Sequence, residues 1–389
     1  MIVAVVGAGI YLRGYRARER APLIVHKDWA QCVEATSDGG FIMAGVKWDM
    51  GGIRSAMYLV KTDTHGCKLW CKTFGHGDVN QGNSVQQTLD LGYIIAGITW
   101  PKDEKHRDIY IVKTDPSGNK MWGRTYGGRW RDEANSVRQT MDGGYIVAGQ
   151  RDSVGNGFDD VCLLKIDALG NELWCRTYGG DRRDEGYSVR QTADGGFIIV
   201  GQTNSFGSAN EQVYLLKTDP QGDLIWSRVF GGEGRDSGRS VCQTPDGGYV
   251  VAGSTWPFEA TYSDVYLLKT DPEGRKLWYR TFKGKYGDYG FSVEQTHDGG
   301  FIVVGNTWPL GRIGQSKMLL FRTDGRGEEM WARRFGGKGS TYGYSVCATV
   351  DGFVAAGKMV NPDKADEDIF LIKTDADGNM VWAMTGVCP

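Results

Sequence analysis

The chain has little net charge, few prolines and few histidines, and each shortage excludes a class of protein. Its 389 residues include 45 lysines and arginines against 47 aspartates and glutamates, so the formal charge of −2 indicates no basic surface for nucleic acid. Ten prolines and 24% charged residues argue against a disordered chain. The five histidines are scattered and do not recur in a metal-ligand pattern.

Motifs for catalysis and for cofactors are also missing. Neither GxSxG nor HExxH occurs. The Val-rich start contains Gly7 and Gly9, but Leu12 stands where a dinucleotide-binding loop needs its third glycine, and no βαβ unit follows. The sequence therefore predicts no bound cofactor, no metal and no identifiable catalytic set.

Long apolar runs are confined to residues 1–12, which are followed by Arg13, Arg16, Arg18 and Arg20. A helix of that length rises about 18 Å, short of the roughly 30 Å hydrocarbon core. No basic residue precedes the run and no clear cleavage site follows it, so it fits a secretory signal badly. We interpret residues 1–28 as a segment outside the folded domain, either a membrane anchor or a misassigned start. As an anchor, its arginines would keep the domain cytoplasmic.

Glycine and repetition are abundant. A segment that reads QTPDGGYVVAG at residues 243–253 recurs seven times with small edits, among 58 glycines. One tryptophan per repeat keeps step with it at spacings of 51 to 53 residues. These are Trp70, Trp122, Trp174, Trp226, Trp278, Trp331 and Trp382. A period of about this length with one fixed aromatic residue is typical of propeller blades.

Each repeat predicts four short strands, which we label A to D. In the fourth repeat they are expected at 188–192, 197–201, 213–218 and 224–230, joined by an Asp-Gly hairpin and by the turn Asp219–Gly222. The prediction is an all-β, seven-bladed β-propeller with four antiparallel strands per blade, in one domain over residues 29–385. Strand A is expected near residues 31, 84, 136, 188, 240, 292 and 345. Leu23–Val25 would seal the ring beside Met380–Met384.

The repeat pattern SVxQTxDGG[YF]I[VI]AG, then KTDxxGxxLW, then RT[YF]GG resembles a group of bacterial and archaeal β-propellers found on secreted or surface proteins. It is more distantly similar to WD40 and quinoprotein-type propellers. The resemblance covers nearly the whole chain and implies an extracytoplasmic or membrane-associated location, with a cytoplasmic one as the alternative. It implies no catalytic residues. The chain departs from the pattern at Leu91, which replaces a turn glycine, and in the seventh repeat, which has lost one glycine.

The eight cysteines do not recur once per repeat. They form no CxxC pair, and Cys67 and Cys71 lack partners at zinc-site spacing. We expect isolated thiols that act as small strand residues. A Cys32–Cys388 disulfide between the chain ends is an alternative.

Binding is expected on one face of the ring. The strand path places the A–B and C–D turns on one face, which we call the turn face, and the B–C and D–A loops on the other, the loop face. The turns barely vary, whereas the loops do, and function concentrates in variable loops. Four tryptophans each follow the strand-B glycine by three residues and form an arc on the loop face: Trp48, Trp100, Trp256 and Trp308.

The tryptophan arc has two interpretations. It either covers the blade edges or provides a stacking surface for sugars or peptide side chains. Four carboxylates in the D–A loops likewise either cap those loops or contribute to a ligand or cation site. They are Asp132, Asp184, Asp236 and Asp288, and the first three follow an arginine.

We therefore predict a monomeric, non-catalytic binding module that engages a glycan or a protein ligand on the loop face. The alternatives are a carbohydrate-active hydrolase or lyase that uses the loop carboxylates, and a structural surface protein. Membrane contact is expected only through the N-terminal segment.

Overall fold

The computed structural model describes residues 27–49, 52–100, 106–152, 158–208, 210–284, 287–308, 315–363 and 366–386. Their 28 strands form seven four-stranded antiparallel sheets, one per repeat, with the strands of each sheet in chain order. This confirms the predicted seven-bladed β-propeller. Within the described ranges, no helix is long and apolar enough to span a membrane.

The strand boundaries repeat from blade to blade. Blades 1 to 4 contain β1 (Asp28–Ala35), β2 (Phe41–Trp48), β3 (Ser55–Thr62), β4 (Lys68–Phe74), β5 (Val79–Gln87), β6 (Tyr93–Trp100), β7 (Asp108–Thr114), β8 (Lys120–Tyr126), β9 (Asp132–Gln139), β10 (Tyr145–Arg151), β11 (Asp160–Ile166), β12 (Glu172–Tyr178), β13 (Asp184–Gln191), β14 (Phe197–Thr203), β15 (Gln212–Thr218) and β16 (Leu224–Phe230). Blades 5 to 7 contain β17 (Arg235–Gln243), β18 (Tyr249–Trp256), β19 (Asp264–Thr270), β20 (Lys276–Phe282), β21 (Gly287–Gln295), β22 (Phe301–Trp308), β23 (Lys317–Thr323), β24 (Glu329–Phe335), β25 (Ser340–Thr349), β26 (Gly352–Val360), β27 (Glu367–Thr374) and β28 (Met380–Thr385).

Strand A is longer than the sequence predicts. In the fourth blade it begins at Asp184 rather than at Ser188, because a β-bulge between Gly186 and Ser188 lets pairing with strand B continue. A bulge at the same place occurs in all seven blades. The bulge turns the strand-A side chains just before the repeated serine toward the centre of the ring.

The turn face repeats one ion pair. The aspartate of each A–B turn contacts a lysine or arginine on strand C, as in Lys217–Asp194 at 2.9 Å, where the lysine side chain is 5% exposed. Lys217 also donates to the Thr218 carbonyl, and Asp194 accepts from Thr192 and Gly196. The other pairs are Lys61–Asp38, Lys113–Asp90, Lys165–Asp142, Lys269–Asp246, Arg322–Asp298 and Lys373–Asp351. The repeated motif therefore builds the blade itself.

Neighbouring blades meet through the tryptophans of strand D. Trp174 lies against Gly222 in the C–D turn of the next blade, where a Cβ would stand 2.7 Å from its ring, and packs on Phe197 with ring centroids 6.1 Å apart. The repeated serine adds a hydrogen bond, because Ser188 Oγ accepts from the Val241 amide of the next strand A at 3.4 Å.

The same contacts close the ring between blades 7 and 1. Ser345 Oγ accepts from the Val33 amide at 3.1 Å, and the Trp382 ring lies against Gly66. Each of these two blades is a complete sheet from one contiguous repeat, so face-to-face packing closes the ring. Residues Leu23–Val25, predicted to add a strand here, lie outside the described residues, as does Cys388.

Candidate functional site

The four predicted tryptophans lie at the ends of strands B on the loop face. Trp100, Trp256 and Trp308 are 41%, 43% and 48% exposed, whereas Trp48 is half-buried. The Trp256 indole N–H donates to the Ala260 carbonyl at 2.9 Å, which fixes the ring and leaves a face open. Three tryptophan rings are thus available to solvent on this face.

The four predicted aspartates are buried, with exposures of 0 to 4%. Three of them accept the amide of a glycine in the preceding D–A loop: Asp132 from Gly128, Asp184 from Gly180 and Asp236 from Gly232, at 2.9 to 3.1 Å. These carboxylates therefore cap loops from inside the fold.

The arginines that precede three of the aspartates pair with other carboxylates. Arg131 contacts Glu133 at 2.6 Å, and Arg183 approaches Asp159 at 3.6 Å. Arg235 reaches Glu211 at 3.3 Å. Asp132 itself pairs with Arg151 at 2.8 Å.

The surroundings of Asp288 disfavour its charged form. One of its carboxylate oxygens, like one of Asp184, is buried and, among the described residues, has no hydrogen-bond partner. Burial raises the pKa of Asp288 to about 6, and the nearby Arg334 guanidinium only partly opposes this. Charging this group therefore costs free energy in the folded state.

The centre of the ring holds a feature that sequence reasoning missed. Strands A of all seven blades line a central channel, and ion pairs join blades that are not neighbours: Glu34 with Arg138 at 3.2 Å, and Arg190 with Glu294 at 4.0 Å. These pairs cross the channel near its turn-face half. Above them, the residues one and three positions before the repeated serine line the channel mouth on the loop face.

A cavity of about 600 Å³ occupies one side of this mouth, and we call it the channel pocket. Blades 5 to 7 supply its lining, from strand A and the ends of strand B. Its residues are Ser237, Arg239, Ser254, Tyr289, Gly290, Phe291, Asn306, Trp308, Tyr342, Tyr344 and Lys358. Trp308 is thus the one predicted residue that lines this pocket.

Aromatic rings dominate the channel pocket. Tyr342 and Tyr344 are nearly parallel at 8°, with centroids 6.4 Å apart. Phe291 stands edge-on to Tyr344 at 5.8 Å, and Trp308 is tilted against Tyr342 at 5.7 Å. Phe291, Tyr342 and Tyr344 are half-buried and Trp308 is exposed. The four rings form a preassembled apolar wall, and such walls bind flat apolar groups.

Two cations flank the aromatic wall. Lys358 Nζ lies 5.2 Å from the centroids of both Trp29 and Tyr342, and it pairs with Glu367 at 3.3 Å. The Arg239 guanidinium stacks on Tyr187, 4.0 Å from the ring centroid. Within the part of the chain that the structure describes, Arg239 has no carboxylate within ion-pair distance. The pocket therefore carries a surplus of positive charge.

The opposite side of the mouth is charged and internally paired. Glu133 contacts Arg107 and Arg131, and Glu185 contacts Arg183 and accepts from Gln202 at 2.7 Å. The mouth thus divides into an aromatic half and a polar half. One signal in the sequence could have found this division, since the position three before the repeated serine reads Trp29, Gln81, Glu133, Glu185, Ser237, Tyr289 and Tyr342.

Two other parts of the described structure give less support to a binding site. A cavity of about 680 Å³ opens between the outer strands of blades 4 and 5, but charges of both signs line it, among them Glu259, Asp264, Lys276 and Lys283. Among the residues described, no group of three or more His, Cys, Asp or Glu side chains is arranged to hold a metal ion.

Comparisons with known proteins identify the fold. No family model matches the chain, so the specific repeat family stays a prediction. A curated relative, the regulatory protein FlaEY of Caulobacter vibrioides, is 25% identical in an alignment of 187 residues that covers 41% of this chain and 19% of that protein. The chain therefore aligns with only a small part of that relative.

Solved structures with a similar fold also identify a β-propeller. Sqt1 from Chaetomium thermophilum aligns with a TM-score of 0.52 at 12% identity, over 93% of this chain and 88% of that one. A puromycin hydrolase aligns with a TM-score of 0.56 at 15% identity, over 94% and 55%. The β-propeller domain of the Trilobed protease from Pyrococcus furiosus, described as having an open velcro topology, reaches 0.52 at 9% identity, over 90% and 95%. These neighbours include enzymes and other proteins, and at such identities the likeness shows the β-propeller fold alone.

Proposed function

We propose that the protein is a non-catalytic binding module whose channel pocket holds an aromatic or apolar side chain of a partner protein. The observation that carries this proposal is the preassembled wall of Phe291, Trp308, Tyr342 and Tyr344 around an open cavity of about 600 Å³. Burying one large apolar side chain there contributes about 1.5–3 kcal/mol. The rings already pack on one another, so little ordering is required on binding.

The charges beside the channel pocket indicate which kind of ligand it would bind. Arg239 has no ion-pair partner among the described residues, and Lys358 shares its charge with one glutamate. A ligand with a carboxylate beside its aromatic group complements both cations. We therefore propose an acidic, aromatic peptide segment as the ligand.

A glycan is the second candidate, and the exposed rings of Trp100, Trp256 and Trp308 favour it. Tryptophan faces of this kind stack on sugar rings. The two candidates differ in which residues matter, because Trp100 lies in blade 2, away from the channel pocket.

An enzyme that uses the loop carboxylates has less support. Asp132, Asp184, Asp236 and Asp288 are buried, and three of them accept a loop amide. A general acid or base must reach the reacting group of its substrate. We propose no catalytic role for these residues.

Two panels test the proposal on the full chain. We would measure binding to a display library of random heptapeptides and to a glycan panel, and analyse the supernatants by mass spectrometry for cleaved products. Trp308→Ala and Tyr342→Ala are the pocket variants, and Trp100→Ala is the matched control. We expect selected peptides with adjacent aromatic and acidic residues, and an affinity loss of about tenfold or more in the pocket variants only.

Each other outcome is informative. Binding to sugars that is weakened by Trp100→Ala as well as Trp308→Ala would replace the peptide ligand with a glycan. Shortened or unsaturated sugars would overturn the non-catalytic function. Failure of both panels to bind would favour the structural alternative.

A further inference from the structure

Two cysteines of blade 3 lie together, contrary to the expectation of isolated thiols. Cys162 on β11 and Cys175 on β12 have their sulfur atoms 3.5 Å apart. Cys162 is opposite Thr177, and Cys175 is opposite Leu164, so the two cysteines are diagonal neighbours on one face of the hairpin. Their sulfur atoms are therefore within reach of bond formation.

The other blades show that this arrangement is specific to blade 3. The strand-C position that pairs with the strand-B glycine carries a ring or a larger aliphatic side chain elsewhere: Tyr58, Tyr110, Tyr214, Tyr266, Leu319 and Phe370. The matching strand-D position carries Cys71, Gly123, Ser227, Tyr279, Ala332 and Ala383. The remaining blades thus have no second thiol at this place.

Arg151 lies beside the cysteines. Its Nη1 donates to Cys175 Sγ at 3.2 Å, and its Nε contacts Asp132 at 2.8 Å, which fixes the guanidinium. Arginine is always charged, and a neighbouring cation favours thiolate over thiol.

The two thiols are unequal. The hydrogen bond from Cys162 and the Arg151 charge lower the pKa of Cys175 to about 7, although burial and Glu172 oppose them. The same hydrogen bond, together with burial, raises the pKa of Cys162. Cys175 is half-buried on the outermost strand, whereas Cys162 is 1% exposed. Cys175 is therefore the more acidic and more accessible thiol, and Cys162 is buried beside it.

We propose that Cys175 and Cys162 are a redox-active dithiol, with Cys175 as the nucleophile, Cys162 as the resolving thiol and a hydroperoxide as the oxidant. The Cys175 thiolate attacks one peroxide oxygen, the O–O bond breaks, and the leaving oxygen takes a proton to become an alcohol or water. Cys175 becomes a sulfenic acid.

The second step forms the disulfide. Cys162 sulfur attacks Cys175 sulfur, the S–O bond breaks, and hydroxide leaves as water with the Cys162 proton. In sum, two thiols and one hydroperoxide give one disulfide, one alcohol or water from the peroxide, and one further water. The two electrons pass from the sulfurs to the peroxide.

Cys71 provides a matched control, because it occupies the same strand-D position in blade 1 but faces Tyr58 instead of a thiol. The reduced full chain would be treated with equimolar hydrogen peroxide, and thiols and linked peptides would be followed by mass spectrometry. We expect a Cys162–Cys175 disulfide, and loss of the Cys175 thiol about tenfold faster than loss of the Cys71 thiol. In Cys162→Ser, we expect Cys175 to stop at a sulfenic acid that dimedone captures. Arg151→Gln should slow the Cys175 reaction.

Other results would contradict the redox-active dithiol. The proposal is overturned if Cys71 or the exposed Cys67 oxidises first, or if complete oxidation yields no Cys162–Cys175 peptide. Lack of dimedone labelling at Cys175 in Cys162→Ser would exclude Cys175 as the nucleophile.

Discussion

The two faces of the ring differ in how closely the seven blades repeat one another. On the turn face, one ion pair between an A–B aspartate and a strand-C cation occurs in every blade, and one strand-D tryptophan packs on the next blade. On the loop face, equivalent positions differ in size and charge, so blades 6 and 7 present tyrosines where blades 3 and 4 present glutamates. Repetition therefore identifies the residues that stabilise the blades.

Departures from the repeat identify the candidate sites. The channel pocket arises because strands A of blades 6 and 7 carry Tyr289, Phe291, Tyr342 and Tyr344 at their variable positions. The dithiol arises because blade 3 replaces a strand-C ring with Cys162. A side chain that only one or a few blades carry cannot be required by the common architecture.

The prediction with the largest expected effect compares one tryptophan of the turn face with one of the loop face. Trp226 lies against Gly274 of the next blade and packs on Tyr249 with centroids 6.0 Å apart. We expect Trp226→Ala to lower the free energy of unfolding by about 3 kcal/mol, because a cavity opens between two blades. Trp308→Ala removes a ring that is 48% exposed and should cost less than about 1 kcal/mol. Urea unfolding of both variants measures the difference. Equal losses would contradict the division between the faces.

Asp288 tests whether a buried residue of the loop face lowers the free energy of unfolding. Its pKa is raised to about 6 in the folded state, so the unfolded state loses its proton first, and stability falls as pH rises from about 4 to about 6. Asp288→Asn removes this fall and should raise the free energy of unfolding at pH 7 by up to about 2 kcal/mol. Blade 2 carries Asn80 at this position, where its amide donates to the Ser55 and Gly77 carbonyls.

The measurement is urea unfolding of both proteins between pH 3 and pH 8. The two stability curves should converge at the acid end, separate between about pH 4 and pH 6, and stay apart at higher pH. An unchanged slope in the variant would show that Asp288 does not titrate as the structure indicates.

The fold could be predicted because its causes are local and repeated. Asp-Gly hairpins, turn glycines and one tryptophan per repeat are readable from sequence, and a four-stranded blade can bury both faces only against neighbours. The start of strand A could not be predicted. Gly186 lies beside the bulge, and glycine often marks one, but the extra residue before Ser188 is defined only by the pairing with strand B.

The sites were less predictable because they join distant residues. Trp308 was found from its spacing, whereas Tyr342 and Phe291 were missed because only the bulge shows that they face the channel. The pairing of Cys162 with Cys175 depends on the exact strand register, including an irregularity between Lys165 and Ile166. A one-residue shift would place the two sulfurs on opposite faces of the sheet.

The prediction with the smallest expected effect concerns the A–B turn of blade 2, one of the two irregular turns that the sequence shows. Leu91 has a φ of 65°, and it is the only non-glycine residue with positive φ in the described parts of the chain. The equivalent position in blade 3 is Gly143 at 82°. A left-handed conformation costs a side chain about 1–2 kcal/mol, and the greater freedom of glycine in the unfolded chain offsets part of the gain.

We expect Leu91→Gly to raise the free energy of unfolding by about 1 kcal/mol, since Leu91 is 53% exposed and little burial is lost. The reverse change, Gly143→Leu, introduces the same strain where a Cβ meets no atom within 4 Å, so it should lower stability by a similar amount. Urea unfolding would show both shifts. If Leu91→Gly were destabilising, the Leu91 side chain would be contributing contacts that outweigh its backbone strain. The turn face would then tolerate a variation that the five blades with a regular Asp-Gly-Gly turn do not display.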